Sequence, residues 1–159
     1  NYEKQPARAL SLIQELRKKY PDNYSFHFLN ALALMELGRL AEAEAMAVQI
    51  RDLISIGKPP YVRELEPRYY QLSGRIHQKK GDYEKAKLLY QKAMADQSFY
   101  NTRTVARSLL YLGKLADMRE DRKSAEDYYN RVLHLEGADA GPRMEAKKYL
   151  KNPYRSGDE

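Results

Sequence analysis

An all-α fold, a solenoid of antiparallel helix hairpins, is what this sequence predicts, and three observations predict it. Apolar residues recur at the three- and four-residue spacing of a single helix face, as in Ala86, Leu89, Tyr90 and Ala93. Such runs are separated by short turns: the pattern carried by Tyr70, Ile76 and His77 stops at Gly81, whose missing Cβ permits a tight reversal, and the next run starts beyond it. The pattern also repeats. Ala9 and Ala43 hold matching places 34 residues apart, and a fixed period of that size marks stacked helical units.

Composition sets the frame for these elements. The 159 residues suit one compact domain or one short solenoid, and 43% hydrophobic content is enough to bury a core. No apolar run approaches the roughly 20 residues that span a bilayer. With no cysteine and three scattered histidines, a disulfide framework, a thiol nucleophile and a dedicated zinc site are all disfavoured. The formal charge of +6 favours acidic partners or a polyanion, although a modest excess also serves solubility. The chain starts at Asn1, which points to a processed product or a piece of a longer protein.

Residues 5–20 form an amphipathic helix with Ala9, Leu12, Ile13 and Leu16 on one stripe, ended by Pro21-Asp22-Asn23. A new hairpin starts at Tyr24: His27, Ala31 and Leu34 lie on its first helix, Gly38 makes the turn, and Leu40, Ala43, Ala47 and Ile50 lie on its second. Gly57, Pro59 and Pro60 then enforce a loop, with an early helical start near Tyr61 to Glu66 and Pro67 accommodated in a first turn. The central hairpin follows. Asn101 or Thr102 caps the next helix, which carries Val105, Leu109, Leu112 and Ala116 to about Arg119; its partner holds Ala125, Tyr129, Val132 and Leu133. A short helix from Gly141-Pro142 to Leu150, apolar through Ala146, Tyr149 and Leu150 and basic opposite, closes the open end. Asn152-Pro153 stops it, and residues 152–159 are expected to be a disordered tail.

The order Tyr70-x-x-Ser73-Gly74-x-x-His77, then Gly81, Tyr83, Ala86-x-x-x-Tyr90 and Ala93, resembles the tetratricopeptide repeat, a helical hairpin of about 34 residues. It departs at His77, where the family usually has an aromatic residue, and at Ser98, where it prefers proline. The third hairpin departs again, with Glu120 at the turn glycine's place and Ala116 at the aromatic's. The resemblance covers roughly residues 5–137 and implies a right-handed superhelical solenoid. Its units are 24–57, 67–100 and 102–137, preceded by a half unit at 5–21 and followed by the closing helix at 141–151, all in one domain spanning 1–151. The half unit implies that a parent protein continues N-terminal to Asn1 with more repeats; the alternative is a native N-terminal helix that leads the array. Gly74 and Ala86 are expected to let the central helices approach closely while Tyr90 fills the space beside them.

An enzyme would need a nucleophile, base or metal on a fixed constellation, and none of the usual signatures is present: no glycine-rich phosphate loop, no H-E-x-x-H, no G-x-S-x-G. No cofactor is implied. His27 and His77 fall on packing positions, and His134 suits a helix C-terminus. Fourteen tyrosines without tryptophan invite a base-stacking reading, yet Tyr70, Tyr83, Tyr90 and Tyr129 also fall on packing positions.

In the family the concave face, lined by the first helix of each hairpin, is the usual ligand surface. Carried over residue by residue, that face holds Phe28, Leu32 and Met35, then Arg68, Gln71, Arg75 and Gln78, then Arg107, Leu110 and Lys114 with Tyr111 beside them. A groove apolar at one end and basic or amide-rich at the other suits a peptide or protein segment with both apolar and acidic groups. Phe28 and Leu32 replace the first part of the family's clamp for a C-terminal carboxylate, which argues against chaperone-tail binding. The expected function is therefore non-catalytic protein binding; RNA or polyanion binding through the basic groove is the alternative. The stripe Ala9, Leu12, Ile13 and Leu16 also makes a weak homodimer through the N-terminal helix plausible.

Overall fold

The structure, a computed structural model, describes residues 4–96 and 101–157. Ser98 and the end of the second unit lie outside the described residues. The elements are α1 (Lys4–Lys19), α2 (Tyr24–Glu36), α3 (Leu40–Ser55), α4 (Glu66–Lys79), α5 (Tyr83–Ala93), α6 (Thr102–Met118), α7 (Arg122–His134) and α8 (Ala140–Lys151). No strand occurs among the described residues. Helices α2 and α3, α4 and α5, and α6 and α7 pack as antiparallel hairpins; α1 lies against α2, and α8 against α6 and α7. The first helices α2, α4 and α6 touch in succession and form one layer, so whatever they present away from their hairpin partners lines a common inner face.

Turn chemistry sets the hairpins. Gly38 and Gly81 adopt φ of 72° and 80°, the left-handed region where a Cβ is costly, and Glu120 takes the same conformation at φ 60°. The Asn23 side chain caps α2 by accepting from the Ser25 N–H (3.1 Å), and Asp121 caps α7 by accepting from the Ser124 N–H (3.1 Å). A 3-10 turn at Arg63–Leu65 leads into α4, with Pro67 in the first turn where no N–H is missed. Asn101 stands at the head of α6 but does not cap it. Its Nδ2 instead donates to the Ala93 (3.1 Å) and Asp96 (2.6 Å) carbonyls, tying α6 to the end of α5.

Close approach within the later hairpins rests on glycine against tyrosine. A Cβ on Gly74 would stand 2.6 Å from Cε1 of Tyr90, and one on Gly113 would meet the Tyr129 ring still more closely. Both rings are fully buried. Their hydroxyls are satisfied from the first helix: Tyr90 donates to Gln78 Oε1 (2.7 Å) and Tyr129 to Asp117 Oδ2 (2.9 Å).

Three expectations change. On α1 the buried residue is Leu10, while Ile13 and Leu16 are half-buried and Ala9 and Leu12 exposed, Leu12 to 55%, so the stripe facing α2 is rotated from the one the apolar spacing suggested. Tyr83 is exposed at the start of α5 rather than packed. The segment beyond Pro153 is ordered at Tyr154, whose ring is buried edge-on to Tyr149 (5.3 Å) and whose N–H donates to Asp117 Oδ2 (2.9 Å). Arg122 completes that anchor by pairing with Asp117 (3.0 Å) and donating to the Leu150 carbonyl (2.7 Å).

Candidate functional site

The inner face of α2, α4 and α6 contains a pocket of about 400 Å³. One wall is apolar, from half-buried Leu32 on α2 and the edge of Phe28, a core residue only 4% exposed. The others carry Arg68 and Arg75 on α4 and Arg103 and Arg107 on α6. Helical spacing explains the arrangement: Arg68 and Arg75 are seven residues apart and Arg103 and Arg107 four, so each pair lies on one face. Gln71 joins the walls by donating from Nε2 to the Thr104 carbonyl (3.0 Å).

The arginines are held unequally. Arg75 pairs with Glu36 of α2 (3.3 Å) and lies over the Tyr111 ring (5.4 Å), while Arg103 pairs with Asp139 (2.7 Å). Arg68 stacks on Phe28 (4.7 Å) and Tyr24 (5.6 Å), which orients the guanidinium while leaving its charge unneutralised. Neither Arg68 nor Arg107 has a carboxylate partner among the described residues. Two of the four cations are thus available to an anion from outside, next to an apolar wall.

Phe28, Leu32, Arg68, Gln71, Arg75 and Arg107 come together as expected for a shared surface. Met35, Leu110 and Lys114 do not belong to it. Met35 and Leu110 are buried in the core: Met35 belongs to a cluster that includes Leu72 and Ile76 of α4, and Leu110 to one built with α7, α8 and Tyr154. Lys114 is buried as well, its ammonium pairing with Glu145 of α8 (2.9 Å) amid the rings of Tyr111, Tyr149 and Tyr154. Burial lowers its proton affinity, but hydrogen bonding and charge from Glu145 outweigh this and raise the pKa, so it stays a structural cation. Gln78 serves Tyr90 and Tyr111 stacks on that ring (5.3 Å), which makes both packing residues first. Arg103 was missed. It stands one turn before Arg107 on the same face, and that spacing was the available signal.

The paired helices recur in all three hairpins, the turn glycine in the first two and the Gly–Tyr crossing in the last two, and two family models for the tetratricopeptide repeat match residues 2–53 and 68–135. The chain belongs to the tetratricopeptide repeat family. No curated protein and no solved structure matches it significantly. As a tetratricopeptide array the chain is a protein–protein interaction scaffold. Among the described residues no cluster of His, Cys, Asp and Glu could hold a metal ion, and no helix is long and apolar enough to cross a membrane.

Proposed function

We propose that the inner groove binds a segment of a partner protein carrying acidic residues beside an apolar one. The observation that carries this reading is the pairing of Phe28 and Leu32 with Arg68 and Arg107, two arginines without acidic partners among the described residues, in one concavity. The apolar wall supplies an anchor that excludes water, and the guanidinium groups offer forked donors to carboxylates. Arg75 and Arg103, already neutralised by Glu36 and Asp139, set the groove's borders more than its affinity.

Selection from a peptide display library should enrich sequences with Asp or Glu flanking Leu or Phe. The Arg68→Glu, Arg107→Glu variant should lose the selected peptides with its melting temperature unchanged, since both side chains are exposed. Binding that survives this variant overturns the reading. A polyanion held by charge alone would dissociate by about 0.5 M salt, whereas a peptide anchored on Phe28 and Leu32 should persist. Preference for single-stranded RNA with that steep salt dependence would favour the nucleic-acid alternative. Exposure of Leu12 also keeps N-terminal self-association in this proposal. Sedimentation velocity should show concentration-dependent dimers that Leu12→Glu abolishes, and a wild-type chain monomeric at every concentration removes it.

A further inference from the structure

Neighbouring hairpins meet along clefts on the side of the array that carries the turns, and the two equivalent clefts are built differently. Between the first and second hairpins the cleft is filled. His77 stands in it with its side chain only 8% exposed, Nε2 lying 3.5 Å from Glu44 and Nδ1 3.3 Å from Asp82. Lys80 closes over Glu44 at 2.7 Å. Between the second and third hairpins, Ala116 stands where His77 does and Lys87 where Glu44 does, each in matching register to its turn. A ring and a carboxylate have been replaced by a methyl group and an ammonium. The result is an open pocket of about 290 Å³, at the lower end of what small-ligand sites enclose.

Leu112, Leu115 and Ala116 of α6 line this pocket as its apolar part, and Tyr83 and Tyr128 add aromatic surface from α5 and α7. Lys87 and Arg119 are its cations. Arg119 is paired with Glu84, whereas Lys87 has no ion pair among the described residues. Asp121 is the one acidic lining residue; its carboxylate caps Ser124 and also feels the charges of Lys87 and Arg119, without forming an ion pair with Lys87.

We propose that this cleft is a second binding site, distinct from the inner groove, for a single planar ring carrying or adjoining an acidic group. The upstream cleft shows that the same backbone frame accommodates a ring at this place. Of the two acids that His77 faces, Glu44 is exchanged for Lys87 while Asp82 keeps its counterpart in Asp121, so the ring's acidic group is placed on the Lys87 side of the cleft. Aromatic walls and an apolar floor bind the ring's faces and edges, and Lys87 takes the anion. The ring is either a free aromatic acid or the side chain of an aromatic residue next to Asp or Glu in a partner.

The probes are 4-hydroxyphenylacetate, its neutral amide, and the capped dipeptide acetyl-Asp-Tyr-amide, titrated against the full chain by amide chemical shifts. Saturable shifts should centre on Lys87, Ala116 and Tyr128, with the acid binding about fivefold tighter than the amide, as a half-exposed ion pair permits. Response to the free acid alone identifies a small-molecule site, and response to the dipeptide alone a side-chain site; either supports the proposal. Ala116→His, and Ala116→His with Lys87→Glu, should rebuild the upstream filling and abolish the shifts while the rest of the spectrum stays folded. Lys87→Ala should erase the difference between acid and amide. Absence of saturable shifts with every probe, shifts that persist in folded Ala116→His, or an unchanged acid preference in Lys87→Ala would each overturn the proposal.

Discussion

The first hairpin and the two that follow solve the same packing problem with different residues. Seven residues before the turn stand Ala31, Gly74 and Gly113; nine after it stand Ala47, Tyr90 and Tyr129; three before it stand Met35, Gln78 and Asp117. Where the second helix brings a tyrosine ring, the first helix gives up its Cβ and supplies an acceptor for the hydroxyl. Where the ring is absent, alanine faces alanine and a buried methionine takes the acceptor's place. The three positions change together. A buried ring needs volume, and its hydroxyl needs a partner, so neither requirement can be met alone. The third hairpin goes further than the second by making the acceptor a carboxylate that also holds Arg122 and Tyr154.

The sharpest way to break this comparison is to add one methyl group. Alanine in place of glycine inside a helix ordinarily stabilises by up to about 1 kcal/mol. Here Gly113→Ala should destabilise by about 3 kcal/mol in urea unfolding and Gly74→Ala by about 2, because fully buried rings cannot step aside. A stabilised Gly113→Ala would show that the crossing is not close-packed. Next come the hydroxyls. Tyr129→Phe should cost about 2 kcal/mol, since it withdraws a donor from a buried carboxylate, and Tyr90→Phe about 1 kcal/mol, since Gln78 is neutral and partly exposed. Equal losses would mean that the charge of Asp117 adds nothing.

The turns offer a gain instead of a loss. Glu120 sits in the left-handed conformation that Gly38 and Gly81 adopt without strain, so Glu120→Gly should raise stability by about 1 kcal/mol, whereas Gly81→Ala should lower it. An unchanged unfolding midpoint in Glu120→Gly would contradict the assigned strain. The smallest effect concerns pH. Burial, followed by the charge of Lys85, holds His77 below its ordinary value of 6.5, even though Glu44 and Asp82 pull the other way. Burial and Arg17 lower His27 in the same sense. The unfolded chain therefore takes up protons first as pH falls, and stability drops from about pH 6.5 downward. The decline in melting temperature between pH 7.5 and 5 should be shallower in His27→Gln, His77→Gln than in the wild type; identical slopes would show that these rings do not set it.

Much of this architecture was legible because glycine and proline punctuate it. Gly38, Gly81, Pro67 and Pro142 placed turns and helix starts within a residue or two of those observed; a close crossing at Gly74 was readable, but its expected partner was Ala86 with Tyr90 beside them, whereas the Tyr90 ring itself lies against Gly74. The groove was legible only in part. Helical spacing tells which side chains share a face, but not whether another helix covers that face; α4 packs over Met35, and Leu110 is buried in the cluster that α6 forms with α7 and α8. Lys114 misled for a related reason. A charge reads as solvated until a distant residue neutralises it, and Glu145 arrives on α8 from another part of the chain. Tyr154 lay beyond a proline in a short polar stretch, and nothing local announced that Asp117 would hold its backbone.

Consider finally where the ion pairs lie. Arg75 with Glu36, Lys80 with Glu44 and Arg119 with Glu84 each join one hairpin to its neighbour, whereas the glycine–tyrosine crossings lie within hairpins. Each unit is thus a stiff plate, and the joints between plates are partly laced by partly exposed ion pairs, which weaken as the ionic strength rises. Mechanically the array is a stack of leaves whose joints combine buried apolar contact, as of Tyr90 with Leu112 and Leu115, with exposed ion pairs that trim the angle between leaves. Its curvature should relax as salt rises while each leaf stays folded, measurable as a lengthening between fluorophores placed on α2 and α8 with helix content constant. An end-to-end distance indifferent to salt would show that apolar contacts alone set the pitch.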